Sequence, residues 1–254
     1  MKSTSYTYLL VLVLLSVCLV PALNAGTAKP FPAEGVFDFY IFGEPAGSTH
    51  FKSSVENGML TITSHLSMNF EQFSQEMDSK TVVDAKTLRP ISFSYEGVKN
   101  KMNTIRGSVR TYGDTLKGAM TIDDQTYPGT VLTDLASTVF FESYVAEHEI
   151  LLARTFLASG EDYKNIVFFY PSDFMLTPTL MSLESEIELE TAKGPVLCSK
   201  IMVSLQGGAP FVSYVDKATD LPIYMQFPSV NTEIFYHDYY GSEARPRFSR
   251  PAQQ

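Results

Sequence analysis

Leu60-Thr61-Ile62-Thr63-Ser64-His65-Leu66-Ser67-Met68-Asn69-Phe70 places Leu60, Ile62, Leu66, Met68 and Phe70 on one side of an extended chain. Thr61, Thr63, His65, Ser67 and Asn69 fall on the other. A period of two is the signature of a half-buried strand. Asn57-Gly58 precedes the run, a pair suited to a tight hairpin because both residues tolerate positive φ.

The same alternation recurs along the chain. Met181, Leu183, Ile187 and Leu189 oppose Ser182, Glu184, Glu186, Glu188 and Glu190. Ile91, Phe93 and Tyr95 repeat it, as do Leu116, Met120 and Ile122, and again Ile201, Val203 and Leu205. Gly113-Asp114, Lys193-Gly194-Pro195 and Gly207-Gly208 punctuate these runs as turns. One apolar and one polar face per strand predicts an antiparallel sheet solvated on one side. The polar outer faces argue against a lipid-facing membrane barrel, whose exterior is apolar.

Val83-Asp84-Ala85-Lys86-Thr87-Leu88-Arg89-Pro90-Ile91 and Val215-Asp216-Lys217-Ala218-Thr219-Asp220-Leu221-Pro222-Ile223 share the pattern V-D-x-x-T-x-x-P-I. Asp and Thr side chains satisfy backbone groups in turns, and proline is tolerated at the start of a strand. Each copy therefore reads as strand, turn, strand. A catalytic pair, Asp84 with Asp216, is the alternative, but turn chemistry already accounts for both. The repeat predicts two related β-meander halves, about residues 35–127 and 163–240, in one continuous curved sheet or open β-barrel.

Between them, residues 134–159 lack Gly and Pro. Phe141, Val145, His148, Leu152 and Phe156 fall on one stripe, and Leu135, Val139, Leu151 and Leu157 widen it. One long helix or two short ones, started by Asp134 or Ser137, are expected to cover one mouth of the sheet. The fold class is thus mainly β with a helical insert.

The ends read differently. Lys2, then the apolar block Tyr8 to Val20, then Pro21-Ala22-Leu23-Asn24-Ala25 follow the order of a secretory signal peptide. The block is short for a membrane span, which needs about 20 residues. Cleavage is expected after Ala25, with Ala28 as an alternative. Val17 is a poor residue before a lipidated cysteine at position 18. Residues 26–34 read as a linker and 241–254 as a flexible tail. The product is expected to be periplasmic or extracellular, with no membrane span after cleavage.

The chain has 254 residues, 44 % hydrophobic and 19 % charged. That composition excludes collagen, coiled coil and wholesale disorder. A chain of this length buries about 70–75 % of its unfolded surface and needs no disulfide to hold a core. Losing Lys2 with the leader turns 19 basic residues into 18 against 28 acidic ones, a net charge of −10. That sign speaks against nucleic acid as a partner. Cys198 is then the single cysteine, so no intramolecular disulfide is available. It reads as a buried strand cysteine, a reactive thiol being the alternative.

Several of these segments together carry a resemblance. Gly43-Glu44-Pro45-Ala46-Gly47 precedes the long strands, and a D-x-x-T-x-x-P turn and an insert near Asp134 follow. Gly194 to Cys198 gives a G-x-x-x-C segment, and Asp216 with Leu221-Pro222-Ile223 ends the pattern. Over about residues 34–240 this is similar in organisation to secreted bacterial proteins grouped as a domain of unknown function, whose curved sheet is similar to the Lol lipoprotein carriers. The resemblance implies an open β-barrel with helices plugging one mouth and an apolar interior. It supplies no catalytic residues.

Catalytic signatures are absent from the sequence. His148-Glu149 opens like a zinc-protease helix, but Leu152 stands where the second histidine is needed. Glu147, His148 and Glu149 are consecutive and diverge on a helix, a poor metal cage. G-x-S-x-G, G-x-G-x-x-G and the P-loop do not occur. Glu184, Glu186, Glu188 and Glu190 read as a solvated face. Lys99, Lys101, Arg106 and Arg110 balance the acidic strands or, alternatively, meet an anionic head-group.

The segment Ile166 to Pro178 is apolar for a connection and carries two prolines. It reads as core filling or as the wall of a cavity, with Phe140, Phe141, His148, Phe168, Phe174, Met175 and Leu176 as wall residues. No catalytic residue, metal or cofactor is assigned. Three functions stay open. The first is a periplasmic or secreted binding or carrier protein for a lipid or other apolar ligand. The second is a non-catalytic envelope structural or adaptor protein, with an envelope protein as partner. The third is a secreted hydrolase with a dispersed active site centred on His148.

Overall fold

The computed structural model describes residues 29–71, 73–142 and 144–241. The leader, residues 1–25, and the tail beyond 241 lie outside the described residues. Residues 29 and 30 belong to a separate N-terminal unit, and the account below concerns the unit from Phe31 onward.

Fifteen strands form one sheet that does not close. The first eight are β1 (Glu34–Ile41), β2 (Glu44–Glu56), β3 (Met59–Phe70), β4 (Phe73–Asp84), β5 (Pro90–Lys99), β6 (Asn103–Tyr112), β7 (Thr115–Ile122) and β8 (Gln125–Leu132). After β9 (Thr138–Phe140) and helix α1 (Glu147–Leu157) come β10 (Tyr163–Tyr170), β11 (Met175–Thr191), β12 (Gly194–Leu205), β13 (Phe211–Asp216), β14 (Leu221–Phe227) and β15 (Thr232–Tyr236). A short α2 (His237–Tyr240) follows. Each meander pairs sequential neighbours antiparallel, and β15 pairs with β1, joining the halves in mid-sheet. The edges are β8 and β9.

Alternation sorts the side chains as expected. Leu60, Ile62, Leu66 and Met68 of β3 are buried, and Glu184, Glu186, Glu188 and Glu190 of β11 are exposed. Asn57 (φ 52°) and Gly58 (φ 75°) turn β2 into β3. Bulges break the register in β1–β2, β4–β5, β11–β12 and β13–β14, and bulges bend and twist a sheet. At Gly97 a Cβ would overlap the Glu76 carbonyl of the neighbouring strand, so only glycine permits that approach.

The two V-D-x-x-T-x-x-P-I copies fold alike. Asp84 accepts from the Lys86 and Thr87 amides and the Thr87 hydroxyl. Asp216 accepts from the Ala218 amide and the Thr219 hydroxyl. Leu88 (φ 57°) and Asp220 (φ 56°) occupy the same left-handed position. Their amides donate to the Asp84 and Asp216 carbonyls, each at 2.9 Å. A bulge lies one residue before each Asp–strand junction, at Val82/Val83 and at Tyr214/Val215. Asp216 also receives the Tyr239 hydroxyl of α2 at 2.8 Å. Both aspartates are turn residues at strand ends.

The insert is shorter in helix than expected. Among the described residues of 134–159, only Glu147–Leu157 is helical. Asp134 accepts from the Ala136 amide and the Ser137 hydroxyl in a turn rather than starting a helix. Thr138–Phe140 is a strand, parallel to β10, with its residues buried. β-branched and aromatic residues favour that pairing over a helix. Gly160 (φ 67°) lies just beyond the helix end.

α1 divides the interior. Ile150 and Leu151 join the larger core, which includes Phe37, Phe51, Ile62 and Phe93. Leu152, Ala153 and Phe156 join a second core with Phe168, Met181, Val203 and Phe211. Cys198 is buried, and burial with nearby Asp216 pushes its thiol up to about 12. Among the described residues no helix is long and apolar enough to cross a membrane.

Candidate functional site

Three consecutive polar residues at the start of α1 are buried: Glu147 and His148 at 0 % exposure and Glu149 at 3 %. Burying one such group unpaired is costly, and burying three in sequence calls for specific partners. The sheet supplies partners for two. Ser64 interrupts the apolar inward face of β3, and Ser79 and Thr81 are inward-facing residues of β4. The Ser64 hydroxyl donates to Glu147 Oε1 at 2.6 Å and Ser79 at 3.3 Å, with 2.7 Å between the serine oxygens. Burial raises the Glu147 carboxyl above its ordinary value, against the two serine bonds. Its Oε2 has no hydrogen-bond partner.

His148 is locked as a neutral ring. The Glu142 amide donates to Nδ1 at 3.1 Å, so the proton resides on Nε2, which donates to Thr81 Oγ1 at 2.8 Å. Phe93 and Phe140 flank the ring at 5.1 and 6.4 Å. Burial pushes it down to about 3. Both nitrogens are engaged, which leaves no lone pair for a substrate proton.

Glu149 points away from this hydroxyl cradle. It lines a pocket of about 320 Å³ beside α1, at the end of the sheet where β12 turns into β13 and β14 into β15. Phe141, Tyr170, Phe211 and Phe227 form much of the wall, with Phe211 and Phe227 stacked at 4.6 Å. Glu142 also lines it and accepts the Ser172 amide at 2.8 Å. Glu149 Oε2 is buried without a hydrogen-bond partner. Burial pushes this carboxyl up to about 8, so it is protonated at neutral pH. Burial likewise pushes the Tyr170 phenol up to about 12, helped by the charges of Glu149 and Glu142.

The expected wall residues take different places. Phe141 lines the pocket. Phe168 stacks behind it at 4.3 Å in the second core. Phe140 and His148 are buried against Phe93 in the larger core. Phe174 and Leu176 are partly buried against that core, and Met175 is 49 % exposed. The segment after Tyr170 does not contribute to the pocket. Sequence reading weighed Glu149 only as a metal ligand and Tyr170 only within the segment Ile166 to Pro178, and it did not name Phe211 or Phe227. The available signal was Glu149 itself, an acid next to the apolar run Ile150-Leu151-Leu152-Ala153.

Among the described residues, no group of three His, Cys, Asp or Glu side chains is placed to hold a metal ion. Comparison of the chain with protein families, with curated proteins and with solved structures finds no match.

Proposed function

We propose that this protein binds an apolar small molecule in the pocket beside α1 and acts as a secreted or periplasmic carrier. The observation that carries this reading is an apolar pocket of about 320 Å³ left open between two filled cores. Pockets lined by aromatics with few polar groups are the usual form of small-molecule sites. Desolvation of a hydrocarbon there contributes about 0.8 kcal/mol per buried CH₂. The open curved sheet with a helix against its inner face suits a carrier, and the leader-like order of residues 1–25 supports export from the cytoplasm. The resemblance to the Lol carriers belongs to this proposal. The hydrolase reading has less support, because both nitrogens of His148 are already engaged.

The test uses N-phenyl-1-naphthylamine, a neutral apolar dye that fluoresces when desolvated. The protein is expected to bind it with one saturable site, and Ala209→Trp, which fills the pocket from its wall, is expected to abolish the signal at least tenfold. Dye binding that the Trp substitution leaves unchanged would overturn the assignment of this pocket.

A further inference from the structure

The pocket's polar content has one sign. Glu142 and Glu149 line it, and among its described lining residues there is no Lys, Arg or His. The rest of the wall is apolar, hydroxyl-bearing or aromatic, including Tyr144, Tyr170, Phe211 and Phe227. Glu149 is buried, its Oε2 has no partner, and no serine or threonine cradle serves it as Ser64 and Ser79 serve Glu147. A buried carboxyl without a partner is costly, and aromatic faces attract cations.

Resting on the carrier reading above, we propose that the pocket's ligand is an organic ammonium: a protonated amine on an apolar body. Its N–H groups donate to Glu149, the aromatic rings surround the charge, and the hydrocarbon fills the wall. A carboxylate or phosphate ligand is disfavoured, since two acids and no base would meet it.

The ligand and the empty site compete for one proton. In the empty pocket Glu149 is protonated below about pH 8. An alkylammonium stays charged to about pH 10, so its binding expels the Glu149 proton. The titratable groups facing Glu149 are Glu142 and Tyr144 from the connection before α1 and Tyr170 from β10. The Leu205–Phe211 turn, the Pro228–Val230 turn and β15 contribute none to the pocket.

Calorimetry with octylamine, octanol and octanoate on the whole protein tests this. Octylamine is expected to bind at least tenfold more tightly than octanol at pH 8, and octanoate not at all. Octylamine affinity is expected to rise about tenfold per pH unit up to about pH 8 and then level off, with octanol flat. Glu149→Gln is expected to erase the preference for the amine over octanol and the pH dependence of octylamine binding. Octanol or octanoate binding as tightly as octylamine would overturn the ammonium proposal and leave the carrier reading intact. No binding of any octyl compound would overturn the carrier reading itself. The wild-type pH series decides the matter even if the Gln variant fails to fold.

Discussion

Glu149 and His148 are neighbours on α1 whose burial acts on stability in opposite directions. Glu149 is raised from 4.5 to about 8. Above pH 4.5 the unfolded chain releases this proton while the folded chain keeps it, so stability falls as pH rises from 4.5 to about 8. His148 is lowered from 6.5 to about 3. Its contribution is complete above pH 6.5 and is lost as pH falls toward about 3. Each slope is about 1.4 kcal/mol per pH unit within its window. Urea unfolding of Glu149→Gln against the wild type is expected to show a gap that widens in favour of the variant between pH 4.5 and about 8 and is constant below 4.5. A gap independent of pH would mean that Glu149 is solvated. At this scale the sequence was only partly legible. Ser64 breaks the apolar face of β3 and Ser79 and Thr81 lie on the inward face of β4, and such inward polar residues announce a buried polar partner. Which partner is a tertiary fact: Glu147 lies 83 residues from Ser64.

At the scale of elements, period-two alternation located strands well, because each strand has one face in the core. The turn motif was legible to its hydrogen bonds, since Asp and Thr act within a few residues of themselves. The insert was misread over 134–146 because Val139, Phe141 and Val145 fit a helical stripe while burying themselves as strand and connection. Edge strand β8 carries Pro128, which cannot donate to a further strand. Its Gly129 lies beneath the ring of Phe174, where any Cβ would overlap the ring. Phe174 holds that position at φ 55°, a left-handed conformation that costs a bulky residue about 1–3 kcal/mol. Gly129→Val is therefore expected to destabilise by about 1–3 kcal/mol, and the loss in a Phe174→Gly background is expected to be smaller. Thermal unfolding of the single and double variants measures that coupling. Additive effects would mean that the ring does not seal this contact.

For the whole molecule, the repeat made two meanders legible, and their junction was not. β1 and β15, at opposite ends of the chain, pair in mid-sheet, and no local pattern encodes a pairing of that separation. The pocket was illegible for the same reason. Its wall comes from Phe141, Tyr170, Phe211, Phe227 and Val230, positions that only the folded sheet brings together. The central claim is that this fold carries an apolar molecule beside α1. Native mass spectrometry of the protein purified without detergent from the cells that make it tests that claim most directly. The account predicts an extra mass that organic extraction removes and that Ala209→Trp excludes. A bare mass, with no uptake of added amphiphiles, would contradict it and favour an adaptor with a filled core.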